Sequence, residues 1–319
     1  MRTPQPDTPP VLDLTTITRA VTLPDAVTAV EDAFRALAQR TVLQPPPTGL
    51  DLPGGEVHVK SAQLGPHQTV VVKIASGFGG NPQRGLPAGD GVIVVLDPDT
   101  GQLRAVLLDH GWLTDVRTAA ATAVAARHLA GPLPQERLAV LGTGVQADLT
   151  LRTLGAVGLL PAQTAVWGRD PAAAQQLVDR HVRTADRITA TPAARQAVDG
   201  ADLVITVTAA RAPVLSGAWL APDAFVVAVG ADSPGKRELD AQVLTRATRV
   251  VVDSPEQSAQ LGELQHTPAG GLTAPVMELG DFVAAPTRIH ARGIQVCDLT
   301  GVGAADAAIT ALALKAAAP

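Results

Sequence analysis

The hydrophobic positions of the chain change their spacing along its length. In residues 24–40 apolar side chains recur every three or four positions, and Pro24 suits a first helical turn, so the pattern predicts a helix. Residues 57–108 instead form valine- and leucine-rich runs, and a hairpin that turns at 97–101 is predicted within them. The first third of the chain is therefore predicted to be rich in strands.

A second helix is predicted where the stretch "LTDVRTAAATAVAARHLAG" follows these strands. We expect Thr114 or Asp115 to cap its start and Gly131 to end it. On this assignment Arg117 falls in the first turn, where a cation opposes the helix dipole. An anion bound there, such as a substrate carboxylate or a cofactor phosphate, would satisfy both the arginine and the free N–H groups.

From residue 137 onward, short and almost continuously apolar strands alternate with helical segments. These strands are "RLAVLG", "QTAVWG", "DLVITVT", "AFVVAVG" and "TRVVVDS". Such alternation is typical of a parallel sheet covered by helices on both faces. We predict an α/β protein with a Rossmann-type doubly wound parallel sheet over 118–302. A strand-rich α+β substrate and dimerisation domain is predicted over 1–117, completed by the C-terminal helix 303–319.

Composition narrows the class of protein. The 319 residues carry a net charge of −5 and form no basic stripe, so neither nucleic acid nor an anionic membrane is an expected partner. The single cysteine, Cys297, excludes an internal disulfide and fits a reducing compartment. The polar, proline-rich start does not resemble a signal peptide, and no apolar run reaches the ~18 residues of a membrane span. A cytoplasmic protein is expected.

Metal and serine-hydrolase chemistry are disfavoured by the sequence. The seven histidines show no paired spacing, so no metal site is predicted, and only His110, beside a turn, stands out. No G-x-S-x-G motif is present.

The stretch "VLGTGVQA" predicts a dinucleotide-binding turn. Gly142, Gly144 and Ala147 have the spacing G-x-G-x-x-A, between a predicted strand and a predicted helix. The first glycine permits the tight turn, the second lets the backbone approach a pyrophosphate, and the alanine allows close helix packing. The alternative is a glycine turn that serves packing alone.

Arg169 follows the next strand, in "TAVWGRDP", where a ribose is read in such folds. An acid there would bond the 2′-hydroxyl of NAD(H), whereas the planar fork of arginine pairs with a 2′-phosphate. We therefore favour NADP(H), with NAD(H) as the alternative. In that alternative Arg169 is a solvated surface residue and Asp170 contacts the ribose.

"GADSPGKR" follows another predicted strand. It is not a nucleotide-hydrolysing loop, because Arg237 replaces the Ser or Thr that would hold magnesium. Asp232 is instead placed at the carboxyl edge of the sheet, where a carboxylate beside a hydride-transfer site can act as acid or base. The alternative is a turn aspartate, since Ser-Pro-Gly follows it.

Cations in the first third are also candidates. Lys73 lies inside the apolar run "VVVKIAS", where an unpaired lysine is costly to bury. It therefore either faces solvent on an edge strand or meets an anion in a cleft. Lys60, in "EVHVKSA", is a weaker candidate of the same kind.

Five ordered stretches together resemble the ornithine cyclodeaminase/mu-crystallin family. They are "VVVKIASGFGGNPQRGLP", "DPDTGQLRAVLLDHGWLTDVRTAAATAVAARHLA", "VLGTGVQA", "VGADSPGKRELD" and "CDLTGVGAADAAI". The resemblance implies a nicotinamide-binding domain and a substrate domain that pairs into a homodimer. It also implies chemistry at the C–N bond of a small α-amino acid or its imine: ornithine cyclisation, ketimine reduction or alanine dehydrogenation.

The resemblance implies roles for individual residues. Lys73 and Arg117 would hold the substrate carboxylate, and Asp232 would be the acid/base, so that Asp232 and Lys73 form the catalytic set. Thr118 would lie near the cofactor phosphates. The pyrophosphate would be wrapped by Gly142, Gly144, Val145 and Gln146. The "VWGR" motif is similar to that of NADP(H)-using reductases of the family.

Two departures from the family pattern argue against ornithine as the substrate. Pro47 stands where many members have a carboxylate-binding arginine, and Lys60, where many have methionine, is expected to replace that charge. Ala88 stands where the family motif "GLPT" has threonine. The resulting hypothesis is a ketimine or cyclic imino acid reductase. The alternatives are an ornithine cyclodeaminase-type ammonia lyase with tightly bound NAD, and a non-catalytic NADPH-binding protein.

Overall fold

The N-terminal third of the chain builds a six-stranded sheet. The computed structural model describes residues 8–130, 136–182, 187–285 and 292–317. The first elements are β1 (Val11–Asp13), α1 (Leu14–Ala20), α2 (Leu23–Ala38), β2 (Thr48–Leu52), β3 (Gly55–Ala62), β4 (Val70–Gly77), β5 (Gly89–Leu96) and β6 (Leu103–Leu108). The strand order is β1-β6-β5-β4-β3-β2, antiparallel except for β1 beside β6. The predicted helix and hairpin are both present, as α2 and β5–β6.

Helix α3 (Trp112–Leu129) starts earlier than the sequence predicted. Gly111 precedes it in the left-handed conformation, and the carboxylate of Asp109 accepts the Leu113 N–H at 2.9 Å. The capping role expected for Thr114 or Asp115 is therefore wrong, since both lie inside the helix. Arg117 accordingly lies in the second turn rather than the first, and the dipole argument for it does not hold. Gly131, the expected end, lies outside the described residues.

The remainder of the chain forms an eight-stranded parallel sheet with helices between its strands. Its elements are β7 (Arg137–Leu141), α4 (Val145–Ala156), β8 (Gln163–Trp167), α5 (Pro171–His181), β9 (Arg187–Ala190), α6 (Ala194–Val198), β10 (Leu203–Thr206), β11 (Phe225–Ala228), α7 (Ala241–Arg246), β12 (Arg249–Val252), α8 (Pro255–Leu261), β13 (Val276–Glu278), α9 (Leu279–Ala284), β14 (Gln295–Asp298) and α10 (Gly303–Ala317). The order β13-β12-β14-β11-β10-β7-β8-β9 reverses direction between β7 and β10. The predicted α/β class with a doubly wound sheet and a second sheet is confirmed.

The two sheets share one apolar core. Helix α10 returns to pack on α2, β3 and β4, while α3 contacts α2, α4 and α10. Helix α3 is buried along most of its length and contacts elements of both halves. The proposed domain boundary at residue 118 lies inside this helix. In the described ranges, no helix combines the length and the apolarity needed to cross a membrane.

Candidate active site

The dinucleotide turn lies at the carboxyl end of β7, where the strand order reverses. In open α/β sheets ligands bind at such a point. Gly142 has a φ of +138°, and a Cβ there would stand 2.7 Å from the Val207 carbonyl oxygen. Its N–H donates to the Trp167 carbonyl oxygen at 2.8 Å, which joins the turn to β8. The backbone therefore requires glycine at this position.

The residues after this turn fit a pyrophosphate. Gly144 caps α4 without any side-chain hydrogen bond, so the first N–H groups of a 12-residue helix remain available. A Cβ built on Gly144 would meet nothing within 4 Å, so space is free above the backbone. Val145, next in the chain, is 61% exposed. These three features leave room for a pyrophosphate at the turn, and the cofactor role of Gly142, Gly144 and Val145 stays a prediction.

Gln146 contributes in a different way from the one expected. Its amide nitrogen donates to the Asp115 carboxylate at 2.8 Å, which ties the start of α4 to α3. Burial raises the pKa of Asp115 to about 6, although the bond from Gln146 opposes that shift. The side chain of Gln146 is thus engaged within the protein, and its backbone N–H is the group left to meet a pyrophosphate.

The expected ribose position lies beside the turn. Thr143 packs against Gly168, and Arg169 and Asp170 follow, both exposed. Asp170 caps α5, accepting the Ala172 N–H at 2.9 Å. Among the described residues, Arg169 makes no hydrogen bond or ion pair. The arginine is therefore free to meet an anion, while the aspartate already has a structural partner.

The predicted cations come together on the inner face of the first sheet. Lys60 and Lys73 are direct cross-strand partners on β3 and β4. Lys73 Nζ lies 2.9 Å from Asp306 Oδ1, and Arg117 Nε lies 3.1 Å from the same oxygen. The anion expected beside Lys73 and Arg117 is thus in part the protein's own, since Asp306 on α10 supplies it. Asp306 Oδ2 is buried and has no hydrogen-bond partner in the described part of the chain.

This basic cluster, defined as Lys60, Lys73, Arg117 and Asp306, has an unbalanced charge. Burial, together with the charges of Arg117 and Lys60, lowers the pKa of Lys73 to about 7, although Asp306 opposes the shift. Three basic groups face one carboxylate. A second anion would therefore favour the protonated form of Lys73 and would be bound by its charge. A substrate carboxylate has the required charge and size.

Lys60 shapes the cleft through the backbone of the loop after β14. Its ammonium donates to the carbonyl oxygens of Gly301 at 2.6 Å and Thr300 at 3.2 Å. Gly301 has a φ of +81°, and a Cβ there would overlap the Arg117 guanidinium. Its N–H donates to Asp253 at 2.6 Å. This glycine therefore allows Arg117 to lie against the loop that Lys60 and Asp253 fix.

Asp232 and α3 line a common cleft. Its walls include Arg117, Thr118, Asp232, Asp253 and Gly301. Asp232 is 46% exposed in its side chain and forms an ion pair with Lys236 at 2.5 Å. Asp232 directly precedes a turn in which the Lys236 N–H donates to the Ser233 carbonyl oxygen at 3.2 Å, and its acid/base role stays a prediction. The Thr118 hydroxyl donates to the Thr114 carbonyl oxygen within α3, and the residue lines the cleft.

Other sequence candidates lie elsewhere. His110 pairs with Asp90 at 3.1 Å on the surface, with both side chains about two-thirds exposed. Pro47 lines a second cavity together with Lys60 and Ser61. Ala88 is exposed, and its carbonyl oxygen accepts the Phe78 N–H at 2.7 Å. Within the described residues, no group of three His, Cys, Asp or Glu side chains is arranged to hold a metal ion.

Three charged residues of the site were missed in the sequence. Asp306 had a signal, because it is the one acid in the mostly apolar stretch "GAADAAITALALKAAA". Lys236 lies in the motif "GADSPGKR", but nothing in the sequence indicated its partner, and Glu56 had no signal at all.

Comparison with known proteins finds relatives over almost the whole chain. The model of the ornithine cyclodeaminase/mu-crystallin family matches residues 9–316. An uncharacterized cyclodeaminase of Sinorhizobium fredii is 43% identical over 300 residues, covering 91% of this chain and 90% of that protein.

Two solved structures are similar over almost the whole chain. An archaeal alanine dehydrogenase dimer with bound NAD aligns with a TM-score of 0.87 at 26% identity, covering 96% of this chain and 95% of that one. The Δ1-pyrroline-2-carboxylate reductase of Thermococcus litoralis, in complex with NADH and L-proline, aligns with a TM-score of 0.87 at 25% identity. That alignment covers 96% of this chain and 97% of the reductase.

Proposed function

Because this chain belongs to the ornithine cyclodeaminase/mu-crystallin family, we propose that it is an NAD(P)(H)-dependent enzyme that interconverts an α-amino acid and its imine. The favoured direction is reduction of a ketimine or cyclic imino acid. The observation that carries this proposal is the cleft in which Asp232 and Arg117 share a wall. The proposed proton donor and one end of the basic cluster therefore line the same cleft.

The chemistry of the proposed reaction balances with these groups. A reduced nicotinamide dinucleotide held at the turn from Gly142 to Gln146 would supply the hydride for the α-carbon of the C=N bond and would itself be oxidised. Asp232 gives one proton to the imine nitrogen, which becomes the amine, and is later reprotonated from solvent. The basic cluster binds the substrate carboxylate, which fixes the orientation of the α-carbon.

A direct assay tests the proposal. The purified protein is mixed with NADPH or NADH and a panel of cyclic and open-chain α-imino acids, and the loss of reduced-nicotinamide absorbance is followed. Imine-dependent oxidation with formation of the matching amino acid is expected. Tight NADPH binding without oxidation by any member of the panel would favour a non-catalytic binding protein.

A cyclodeaminase is the second candidate, supported by the 43% identity to a protein named as one. In that reaction the cofactor is oxidised and reduced again within a turnover. Ammonia is therefore released from a diamino acid with no net change in nicotinamide absorbance. Ammonia release from ornithine or lysine with tightly bound NAD, and no imine reduction, would establish this alternative.

We further propose NADP(H) as the preferred cofactor, because Arg169 is exposed and unpaired among the described residues while Asp170 caps a helix. Arg169→Ala is expected to weaken NADPH binding about 10- to 100-fold, since one bidentate phosphate contact is lost. NADH binding is expected to change less than about twofold. Fluorescence titration with both dinucleotides measures the two affinities.

Arg187→Ala is the matched control for this substitution. Arg187 is also an exposed arginine of the parallel sheet. It is the first residue of β9, so it lies at the amino end of the strands, whereas Arg169 follows the carboxyl end of β8. Equal weakening of NADPH and NADH by Arg169→Ala would rule out the phosphate contact. Preference of the unmodified protein for NADH would move the ribose contact to Asp170.

We also propose a homodimer formed through the outer face of the first sheet. Cross-strand register places these apolar side chains on one face, opposite to Lys60 and Lys73: Val11, Leu50, Val59, Val72, Ile74, Val94 and Val106. Val11 is 61%, Leu50 65% and Ile74 39% exposed. A contiguous apolar face of this kind is typical of an interface, and the archaeal neighbour is described as a dimer.

Val72→Asp is expected to convert the dimer to a monomer. The new carboxylate would lie at the centre of the outer face, where two copies related by a twofold axis bring like charges together. Sedimentation velocity would report halving of the mass. Val182→Asp, at an exposed valine after α5, is the control and is expected to leave the mass unchanged. An unmodified chain that sediments as a monomer would contradict the proposal.

A further inference from the structure

Lys236 joins the two halves of the molecule at the candidate active site. Its ammonium lies 2.5 Å from Asp232 Oδ1 and 3.1 Å from Glu56 Oε1. Asp232 follows β11 in the parallel sheet, whereas Glu56 belongs to β3 in the other sheet. The side chains of Lys236 and Glu56 are 16% and 18% exposed. One cation is therefore shared by two carboxylates, one from each half of the molecule.

Lys236 and Glu56 are both held in their charged states. Although burial opposes its charge, Asp232 and Glu56 raise the pKa of Lys236. The neighbouring His58 side chain, and then the charge of Lys236, lower the pKa of Glu56 to about 2. His58 Nε2 lies 3.5 Å from Glu56 Oε2. Lys236 and Glu56 are therefore both charged at neutral pH, and water screens their ion pair less than it would screen an exposed pair.

The turn that carries Lys236 is fixed to the parallel sheet. The Gly235 N–H donates to the Gln265 side chain at 2.7 Å, and the Lys236 carbonyl oxygen lies 2.8 Å from His266 Nε2. The Pro234 carbonyl oxygen accepts from Arg211 at 3.0 Å. Because the backbone is anchored at three successive residues, the lysine side chain links a rigid turn to β3.

We propose that Lys236 is a positioning residue for the acid/base carboxylate: it orients Asp232 and, through Glu56, holds the cleft between the two sheets closed. The proposal rests on the proposed function of Asp232. Without the ammonium, Asp232 and Glu56 would face each other as like charges, and the cleft would widen.

Asp232 is surrounded by several charged and polar groups. The groups that face it from the surrounding elements are Lys60 and Glu56 on β3, Arg117 on α3, Asp253 after β12, and Ser233 and Lys236 on its own turn. Of these, Lys236 is the one in direct ion-pair contact with Asp232. Its removal is therefore expected to give the largest single change.

Three variants separate the two parts of the bridge. Lys236→Met removes both ion pairs and keeps the aliphatic stem, Lys236→Arg restores the charge, and Glu56→Gln breaks only the link to β3. Lys315→Met, at an exposed lysine near the end of α10, is the matched control. Steady-state kinetics across pH, dinucleotide titration and hydrogen exchange are measured on the full-length protein.

Lys236→Met is expected to lower kcat roughly 10- to 100-fold, as small misplacements of a reacting group do, with KM changed less than about threefold. Dinucleotide affinity is expected to stay unchanged, and Lys236→Arg to recover most of the activity.

Hydrogen exchange gives a readout that does not depend on turnover. Faster exchange in residues 55–62 and 230–238 is expected for Lys236→Met and, in the first segment, for Glu56→Gln. If the unmodified protein turned over no imino or amino acid, the proposed function would fail, while exchange would still decide whether the bridge closes the cleft. Exchange equal to that of Lys315→Met, or a Lys236→Met variant with unchanged kcat, would overturn the positioning role.

Discussion

Asp232→Asn is expected to abolish turnover, with kcat lowered at least about 100-fold and as much as roughly 10,000-fold, the range for loss of a general acid. The amide has nearly the same shape as the carboxylate but cannot transfer a proton to the imine nitrogen. Dinucleotide affinity is expected to change less than about twofold, because the groups that fit the pyrophosphate lie on the turn from Gly142 to Gln146. Kinetics and fluorescence titration measure the two quantities.

Asp179→Asn is the control for this substitution, since Asp179 is an exposed acid on α5, whose carboxylate accepts only from Gln175 in the described structure. The control is expected to behave as the unmodified protein. Turnover of Asp232→Asn within about tenfold of that protein would mean that another group delivers the proton, and the assignment of Asp232 would have to be abandoned.

Asp306→Asn is expected to have the largest effect on stability. Removing one partner of a buried ion pair leaves uncompensated charge and typically costs about 3–5 kcal/mol. Here one carboxylate oxygen contacts both Lys73 and Arg117, whose side chains are 3% and 8% exposed. The amide would keep the volume and one acceptor, so the loss is assigned to charge. Urea unfolding monitored by circular dichroism measures the free energy of unfolding.

The comparison again uses Asp179→Asn, an exposed acid whose loss is expected to change the free energy of unfolding by less than about 0.5 kcal/mol. A double variant, Asp306→Asn with Lys73→Met, is expected to recover part of the loss, because one buried cation is removed together with its counter-charge. If Asp306→Asn unfolded at the same urea concentration as the control, the basic cluster would not depend on its internal anion.

Several features of the site could be predicted from the sequence alone, because they have local causes. The Gly142 turn is specified by spacing and by the switch from strand to helix, since the steric requirement acts between neighbouring residues. Lys73 stands out because charge is costly in an apolar strand, whatever the fold. The predicted start of α3 was wrong, because Asp109 supplies the capping oxygen from outside the expected window.

By itself the sequence determined the doubly wound sheet, the dinucleotide turn, the family and the individual charges that needed an explanation. Hydrophobic period and glycine spacing are properties of neighbouring residues, so they are visible along the chain. Tertiary structure alone decided which charges meet: Asp306 reaches Lys73 across 233 positions, and Lys236 reaches Glu56 across 180. Ion pairs act over a few ångströms in space. Only the packing of α10 on the first sheet, and the approach of the turn after β11 to β3, bring those charges together.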